Sequence, residues 1–308
     1  MFTKHTSLVI PTRNRNNFLL KTLNQLKNFK IKFKEILVID SSDKFDKPFF
    51  KEICKKFSVK FYRSKPSTSL QRNIGLKLRN KKSQFVMFLD DDIVFFKNSF
   101  FDMNKTINLY KNDNKISGFG FNLITNKKKS FLDLIKSSYI IKLTNLYSDK
   151  PGVVTLSGWH TIVSNIKSNV LAEWFSTQAV IYKSKFITNI NFNENFGNYS
   201  YLEDLDFSLK ANDKKKKKIL VNYSSRYRHP NEIKRNNINF GIIEIFNRFI
   251  IVKNHKFNLI YFFLGSFVRF LLSLLNIFKG EFNSFFRACG NIIGIAKSFY
   301  YILFDINK

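Results

Sequence analysis

The chain has 308 residues, 44% of them hydrophobic, with a formal net charge of +30. That length allows one large domain or two around a sizeable core, and the charge favours an anionic partner: nucleic acid, an anionic membrane surface or phosphorylated substrates. Lys outnumbers Arg 41 to 11, however. The scarcity of the side chain that reads phosphates and bases bidentately argues against nucleic acid.

Phe, Ile, Asn, Tyr and Lys are abundant together, the mark of drift in an AT-rich genome, so part of the charge carries no function. Cys54 and Cys289 are far apart in sequence and read as buried thiols in a reducing compartment. The start, MFTKHTSLVI, shows no apolar secretory segment before the first strand.

Taken in order, Ser7-Leu8-Val9-Ile10 predicts a buried strand, ended by Pro11, with Pro11 to Arg15 as a loop. Phe18, Leu19, Leu23 and Leu26 then recur at helical spacing. Residues 35–39 form a second strand ending at Asp40. A helix follows with Pro48 in its first turn, then a short strand over 59–62 and a helix over 68–79. Phe85 to Leu89 is a continuous apolar run that suits a strand buried on both faces of a mostly parallel sheet. It runs straight into Asp90-Asp91-Asp92. Acids at the carboxyl end of such a strand lie where open α/β sheets bind ligands. Strand–helix alternation over roughly the first 95 residues argues for a doubly wound, mostly parallel α/β sheet with a Rossmann-like half.

Beyond it, residues 97–110 predict a helix, 117–121 a Gly-rich strand, and a stretch near 130–143 a further helix. The run from Glu173 to Tyr182 has strand character. Residues 201–211 predict a helix opening on Glu203-Asp204. Five lysines, 214–218, separate it from the strand at 219–221. From about Phe240 the composition changes. Phe257 to Phe278 is almost wholly apolar; Ser266, Arg269, Ser273 and Asn276 form one narrow polar stripe. Arg287, Asn291, Gly294 and Ser298 form another. Two such helices need an apolar cover. Arg269 would cost roughly 2.5–3.5 kcal/mol at the centre of a lone span. Helices lying in a membrane interface, with lysines toward anionic headgroups, are therefore expected; a cap packed on the α/β domain is the other reading.

Five segments in order carry a resemblance: Val9-Ile10-Pro11-Thr12-Arg13-Asn14-Arg15, Val38-Ile39-Asp40, Arg72-Asn73-Ile74-Gly75-Leu76, Phe88-Leu89-Asp90-Asp91-Asp92 and Leu202-Glu203-Asp204-Leu205-Asp206-Phe207. Over about residues 5–230 the chain resembles the family 2 glycosyltransferases of the GT-A fold. The resemblance implies transfer of a sugar from a nucleotide-diphosphate sugar with inversion, assisted by Mg²⁺ or Mn²⁺. It implies a D-x-D pair, Asp90 toward ribose or metal-bound water and Asp92 on metal and diphosphate, with Asp91 orienting the loop. Pro11, Thr12 and Arg13 would hold base and ribose, Asp40 the base, and Arg72 the diphosphate. The family often has a second acid after Asp40; Ser41 stands there. Asp204 would be the general base, with Glu203 beside it, whereas Asp206 reads as structural. Both acids of the pair also suit a helix N-terminus as such. His229 is either a metal ligand or a loop residue. Trp174, Thr177 and Gln178 would line the acceptor site, though Trp174 equally suits a core, and Trp159 and His160 are weaker candidates for an acceptor loop.

A Q-x-x-R-W stretch, an array of spanning helices and a G-x-G-T-R-L start are all missing from the sequence, which points away from processive synthases and nucleotidyltransferases. The expectation is a catalytic domain over 1–235 and a membrane-associating helical region over 236–308. It would add single hexosyl or deoxyhexosyl units to a lipid-linked or other membrane-borne glycan at the cytoplasmic face of the cell membrane. The rival is a non-catalytic basic protein that binds membrane or nucleic acid through a degenerate GT-A-like domain.

Overall fold

The computed structural model describes residues 1–126, 146–197, 199–230 and 236–305. The helix expected near 130–143 lies outside the described residues. Two compact units emerge. One holds residues 1–126 with most of 162–230; the other joins 146–161 to the C-terminal helices.

The first unit is built on a nine-stranded sheet. Strands β1 (Thr6–Thr12), β2 (Glu35–Asp40), β3 (Val59–Arg63) and β4 (Phe85–Leu89) pair in parallel in the order β3-β2-β1-β4. Helices α1 (Asn16–Asn28), α2 (Lys47–Phe57) and α3 (Thr68–Leu78) connect them. This is the βαβ alternation read from the sequence. Local chemistry sets the starts: Asp46 caps α2 by accepting from Phe49 N at 3.0 Å, and Ser67 caps α3 through Leu70 N at 3.3 Å. Gly75 lets α3 lie directly on β1, since a Cβ there would stand 2.3 Å from Val9 Cγ1.

Pro11 does not end β1. The strand continues to Thr12, paired with Asp40 of β2. Pairing with β4 stops at Val9↔Phe88, so Pro11 faces no second partner strand that would need its missing N–H.

After β4 the sheet turns mixed. Next come β5 (Val94–Phe95), α4 (Ser99–Tyr110), β6 (Ile116–Leu123), β7 (Val170–Ala172), β8 (Ala179–Lys183), α5 (Glu203–Ala211) and β9 (Lys218–Arg228). Strand β8 inserts antiparallel beside β4, and β6 and β9 extend the sheet as a parallel pair. The run from Glu173 is strand only from Ala179; residues 173–178 form an irregular connection that leads into β8. The five lysines follow α5 in a tight turn with left-handed backbone at Asp213, Lys214 and Lys215. Lys215 and Lys218 pair with Glu173 at 3.0 Å, which compensates part of the run. Phe88 packs edge-on against Phe192 and Phe207, at 5.1 and 5.7 Å between ring centroids, in the core on one face of the sheet.

The second unit contains three long helices among the described residues, one more than expected: α6 (Ile238–Asn254), α7 (Leu259–Leu275) and α8 (Ser284–Asp305). Helix α6 is apolar on most of its circumference and buried between the others, so it shows no amphipathic period. Both expected polar stripes point inward. Ser266, Arg269, Ser273, Asn291 and Ser298 are buried, while Phe267, Phe278 and Leu303 are exposed.

Candidate functional site

Strand order places the carboxyl ends of β2, β1 and β4 side by side, and the pairing of β5 with the end of β9 brings His229 to them. Thr12 ends β1, Asp40 ends β2, Asp90 to Asp92 follow β4, and His229 follows β9. The acidic turn is compensated from three directions. Arg15, at the entrance of α1, lies 3.0 Å from Asp91 through Nη1 and bonds Asp92 through Nη2. His229 Nε2 lies 3.1 Å from Asp92 Oδ1. Arg72, buried on α3, donates to Asp90 Oδ1 at 2.9 Å.

Asp91 is the structural member of the three. It accepts from Thr12 Oγ1 at 2.6 Å, and its carbonyl accepts from Thr22 Oγ1 at 2.7 Å. Burial pushes its carboxyl up to about 7, against the pull of Arg15 and Thr12. Asp92 is as deeply buried, while Asp90 is the most exposed, at 26% of its side chain. Burial draws the His229 imidazole down, but the bond to Asp92 and the charges of Asp92 and Asp90 outweigh it, so its net shift is upward.

The second acid pair reaches the same place from far away in sequence. Arg72 Nη1 donates to Glu203 Oε1 at 2.5 Å, so one guanidinium spans Asp90 and Glu203. Burial, then the neighbouring Asp204, pushes Glu203 upward against Arg72. Asp204 is half-buried, and its Oδ1 accepts from Leu205 N at 2.8 Å. Asp206 is sealed and pairs with Lys210 at 2.6 Å, the structural role read for it. The turn before α5 is held to α3: Ser200 Oγ accepts from Ser69 N at 3.3 Å and donates to Gly197 O at 2.7 Å. Leu202, just ahead of the pair, has a φ of +75°, a left-handed conformation costly for a Leu.

The other expected residues fall into three groups. Asp40 is fully buried, and its oxygens are taken by Ser42 and Arg63. The carboxylate therefore orders the β2 loop, and Arg63, partly exposed over the Phe45 ring, presents the outer surface. Pro11 is buried in β1; Arg13 is exposed and pairs with Asp43 at 2.9 Å. Asn14, Arg15, Ser42 and Lys44 line a cavity of about 330 Å³ beside this loop. Gln178 joins the acids, since its carbonyl accepts from Asp90 N at 3.0 Å and its side chain from Tyr227 Oη at 3.0 Å. Thr177 and Trp174 are buried, Trp174 at 4% exposure, which is the packing alternative for that ring. Trp159 and His160 belong to the helical unit: the Arg248 guanidinium lies 3.8 Å over the Trp159 ring and 3.2 Å from His160 Nδ1.

Sequence reasoning missed Arg15, Arg63 and Tyr227. Only Arg15 carried a signal, as an arginine in the loop facing the acidic strand end. Among the described residues no cluster of three or more His, Cys, Asp or Glu side chains could hold a metal ion by itself. Asp92 and His229 do form an adjacent oxygen–nitrogen pair. Mg²⁺ and Mn²⁺ sites of nucleotide enzymes commonly use one or two protein ligands and complete their shell with water and phosphate oxygens. The donor set fits that kind of site.

Comparison with known proteins points one way. A sequence profile described as Glycosyl transferase family 2 matches residues 7–160. Among solved structures the chain is similar to S. aureus TarS, with TM-score 0.51 and 17% identity over 84% of this chain and 42% of that one. It is similar also to S. aureus TarS 1–349 in complex with UDP, with TM-score 0.51 and 17% identity over 84% of this chain and 69% of that one. The chain thus spans less than half the length of the longer TarS chain. No curated protein matches it. At such identity the likeness concerns the fold, an α/β sheet of GT-A type with a C-terminal helical region.

Proposed function

The chain belongs to glycosyl transferase family 2, and on that premise we propose that it moves one sugar, with inversion, from a nucleotide-diphosphate sugar to a hydroxyl of a membrane-borne glycan precursor. One observation carries this reading: Arg72 joins Asp90 and Glu203, bringing a donor-side and an acceptor-side acid into one polar network. Phosphate oxygens of a donor would find Arg72, Arg15 and His229 around the acidic turn. The cavity lined by Asn14 and Ser42 lies where the nucleoside would sit. UDP, the ligand in one similar structure, is the first nucleotide to try.

The chemistry follows from the two acid clusters. The acceptor oxygen attacks the anomeric carbon as its bond to the diphosphate breaks, and the hydroxyl proton passes to Asp204. Asp204 suits this because it is half-buried and next to a carboxyl that burial drives upward, whereas Glu203 is tied to Arg72. The electron pair of the breaking bond leaves with the nucleoside diphosphate, whose growing charge Arg72 faces. A divalent cation, Mg²⁺ or Mn²⁺, held by Asp92 with His229 and Asp90, would add charge neutralisation at the diphosphate. The acceptor would be lipid-linked or otherwise membrane-borne, the addition single, and the site of action the cytoplasmic face of the membrane. Of the span 1–235 the sheet unit would be catalytic, and 236–308, with which residues 146–161 pack, would be membrane-associating.

A thermal-shift screen against nucleoside diphosphates, with and without Mn²⁺, tests the reading. A metal-dependent rise in melting temperature with one nucleotide, lost in Asp92→Ala, is expected. No shift with any nucleotide, in folded protein, would return the chain to the non-catalytic binding alternative.

A further inference from the structure

In the helical unit, α7 and α8 turn apolar faces outward although the unit also has a buried apolar core. On α7 the exposed side chains Ile260, Leu264, Phe267, Leu271 and Leu275 recur at intervals of three and four, so they form one apolar face. The opposite, buried face of the same helix carries Gly265, Ser266, Arg269 and Ser273. Helix α8 repeats the plan: Ser284, Ala288, Asn291 and Ser298 are buried, while Phe285, Ile292 and Phe299 are exposed.

Beside an apolar core of Trp159, Ile245, Phe249, Val252 and Phe262, the interior of this unit holds small and ionic contacts. Glu244 of α6 is buried and meets Arg287 Nη2 at 2.8 Å and Arg269 Nε at 3.2 Å. Ser273 Oγ donates to Asn291 Oδ1 at 3.0 Å, and Asn291 Nδ2 donates to Gly241 O at 3.2 Å. The helices approach to backbone contact through glycines. A Cβ on Gly290 would stand 2.2 Å from Ile238 O, and one on Gly241 would stand 2.3 Å from Arg287 O. Gly290 and Gly294 are four apart and face α6 together.

In water, burying apolar surface drives helices together, so large apolar residues go inside. In lipid that drive vanishes, and helices associate through small residues, close backbones and polar contacts. The outward faces of α7 and α8 and the close α6–α8 contact follow the second rule, although Phe249 and Phe262 pack in an apolar core beside them. Length and polarity set the mode: α8 has 22 residues, long enough for a span, but carries Arg287, Asn291 and Lys297. Helix α7 has 17 residues, roughly 26 Å at ~1.5 Å each, against a hydrocarbon core of ~30 Å. Among the described residues no helix is long and apolar enough to cross a membrane. A second copy is a poor cover, because each chain carries +30 and two would repel. An anionic bilayer is complementary to that charge.

We propose that the outward face of α7 and α8 is a shallow membrane-docking surface that lies in the interface of an anionic bilayer without crossing it, and that the Glu244–Arg269–Arg287 cluster with the Gly241/Gly290 contact holds the helices together there. The inference deepens the membrane placement proposed above and rests on that reading, but on none of the chemistry at the strand edge.

The test uses the full chain with phosphatidylcholine vesicles, with and without phosphatidylglycerol. Cosedimentation with the anionic vesicles is expected, at least tenfold weaker in the triple variant Leu264→Ser, Phe267→Ser, Leu271→Ser and retained in Phe267→Leu. In Phe267→Trp, the added fluorescence should be quenched more by lipids brominated near the headgroup than near the chain end. Failure of the wild-type chain to bind vesicles, equal binding by the triple variant, or stronger quenching by the deep lipids would each overturn the proposal. So would a dimer in light scattering that the triple variant dissolves. The nucleotide-dependent thermal shift, followed in the same samples, separates these failures from failure of the transferase reading.

Discussion

The two units of this chain both bury an apolar core but place charge and surplus apolar surface differently. In the sheet unit, Phe88, Tyr182, Phe192 and Phe207 interlock inside, and charge gathers at one edge, where a ligand can use it. In the helical unit an ionic cluster around Glu244 is buried beside the Phe249 and Phe262 core, and further rings such as Phe267, Phe278 and Phe285 point out. The same residue types therefore have opposite consequences depending on where they fall. A buried arginine in the first unit, Arg72, bridges two acids of the candidate site, whereas Arg269 in the second pairs with an acid sealed in the interior.

The comparison can be broken at several points. The largest effect is expected at the acid pair: Asp204→Asn should lower transfer by ~10²–10⁴-fold in a steady-state assay, with the nucleotide-induced thermal shift unchanged. Equal loss of both would make the residue structural. Next, Phe88→Ala should cost ~3–5 kcal/mol by denaturant unfolding, since the ring is fully buried. Glu244→Gln should cost about as much, ~3–5 kcal/mol, because it strands Arg269 and Arg287 in the interior.

That cost should depend on pH. The two arginines hold Glu244 well below the usual carboxylate range, against burial, which acts first and in the opposite sense. A depressed carboxylate contributes stability that is present above its unfolded value of about 4.5 and lost as pH falls through its lower folded value. The gap in melting temperature between wild type and Glu244→Gln should therefore be full at pH 7 and shrink only in strong acid. A gap that widened on acidification would sink the assignment. The smallest effect sharpens the contrast most: Phe278→Ala, at 87% exposure, should change stability in water by no more than ~0.5 kcal/mol. The same substitution of an aromatic ring is costly in one unit and nearly silent in the other.

The parallel half of the fold was legible because its strands are continuous apolar runs ending in Asp40 and in Asp90 to Asp92, and its helices carry clear apolar spacing. Asp90 to Asp92 were legible because a strand end positions them, and Glu203-Asp204 because they open a helix with clear apolar spacing. What the sequence hid is what depends on neighbours. Helix α6 is apolar nearly all round, so it has no period to read. The extent of β1 past Pro11 depends on where β4 stops pairing. Arg15 gains its role only when the loop after β1 meets the acids after β4, and Arg63 only when β3 pairs in register with Asp40 of β2. The two polar stripes at the C-terminus were visible as patterns. Which side faced inward was not, because an amphipathic period is symmetric to that choice.

Leu202 puts a limit on mutational tolerance. Its side chain is buried, and its backbone is left-handed at the entry to Glu203 and Asp204. Glycine there would relax the backbone but empty a packed space. Valine or isoleucine would fill much of the space but add to the backbone cost. A saturation scan should find this position among the least permissive in the chain, although its side chain has no chemistry to offer a sugar.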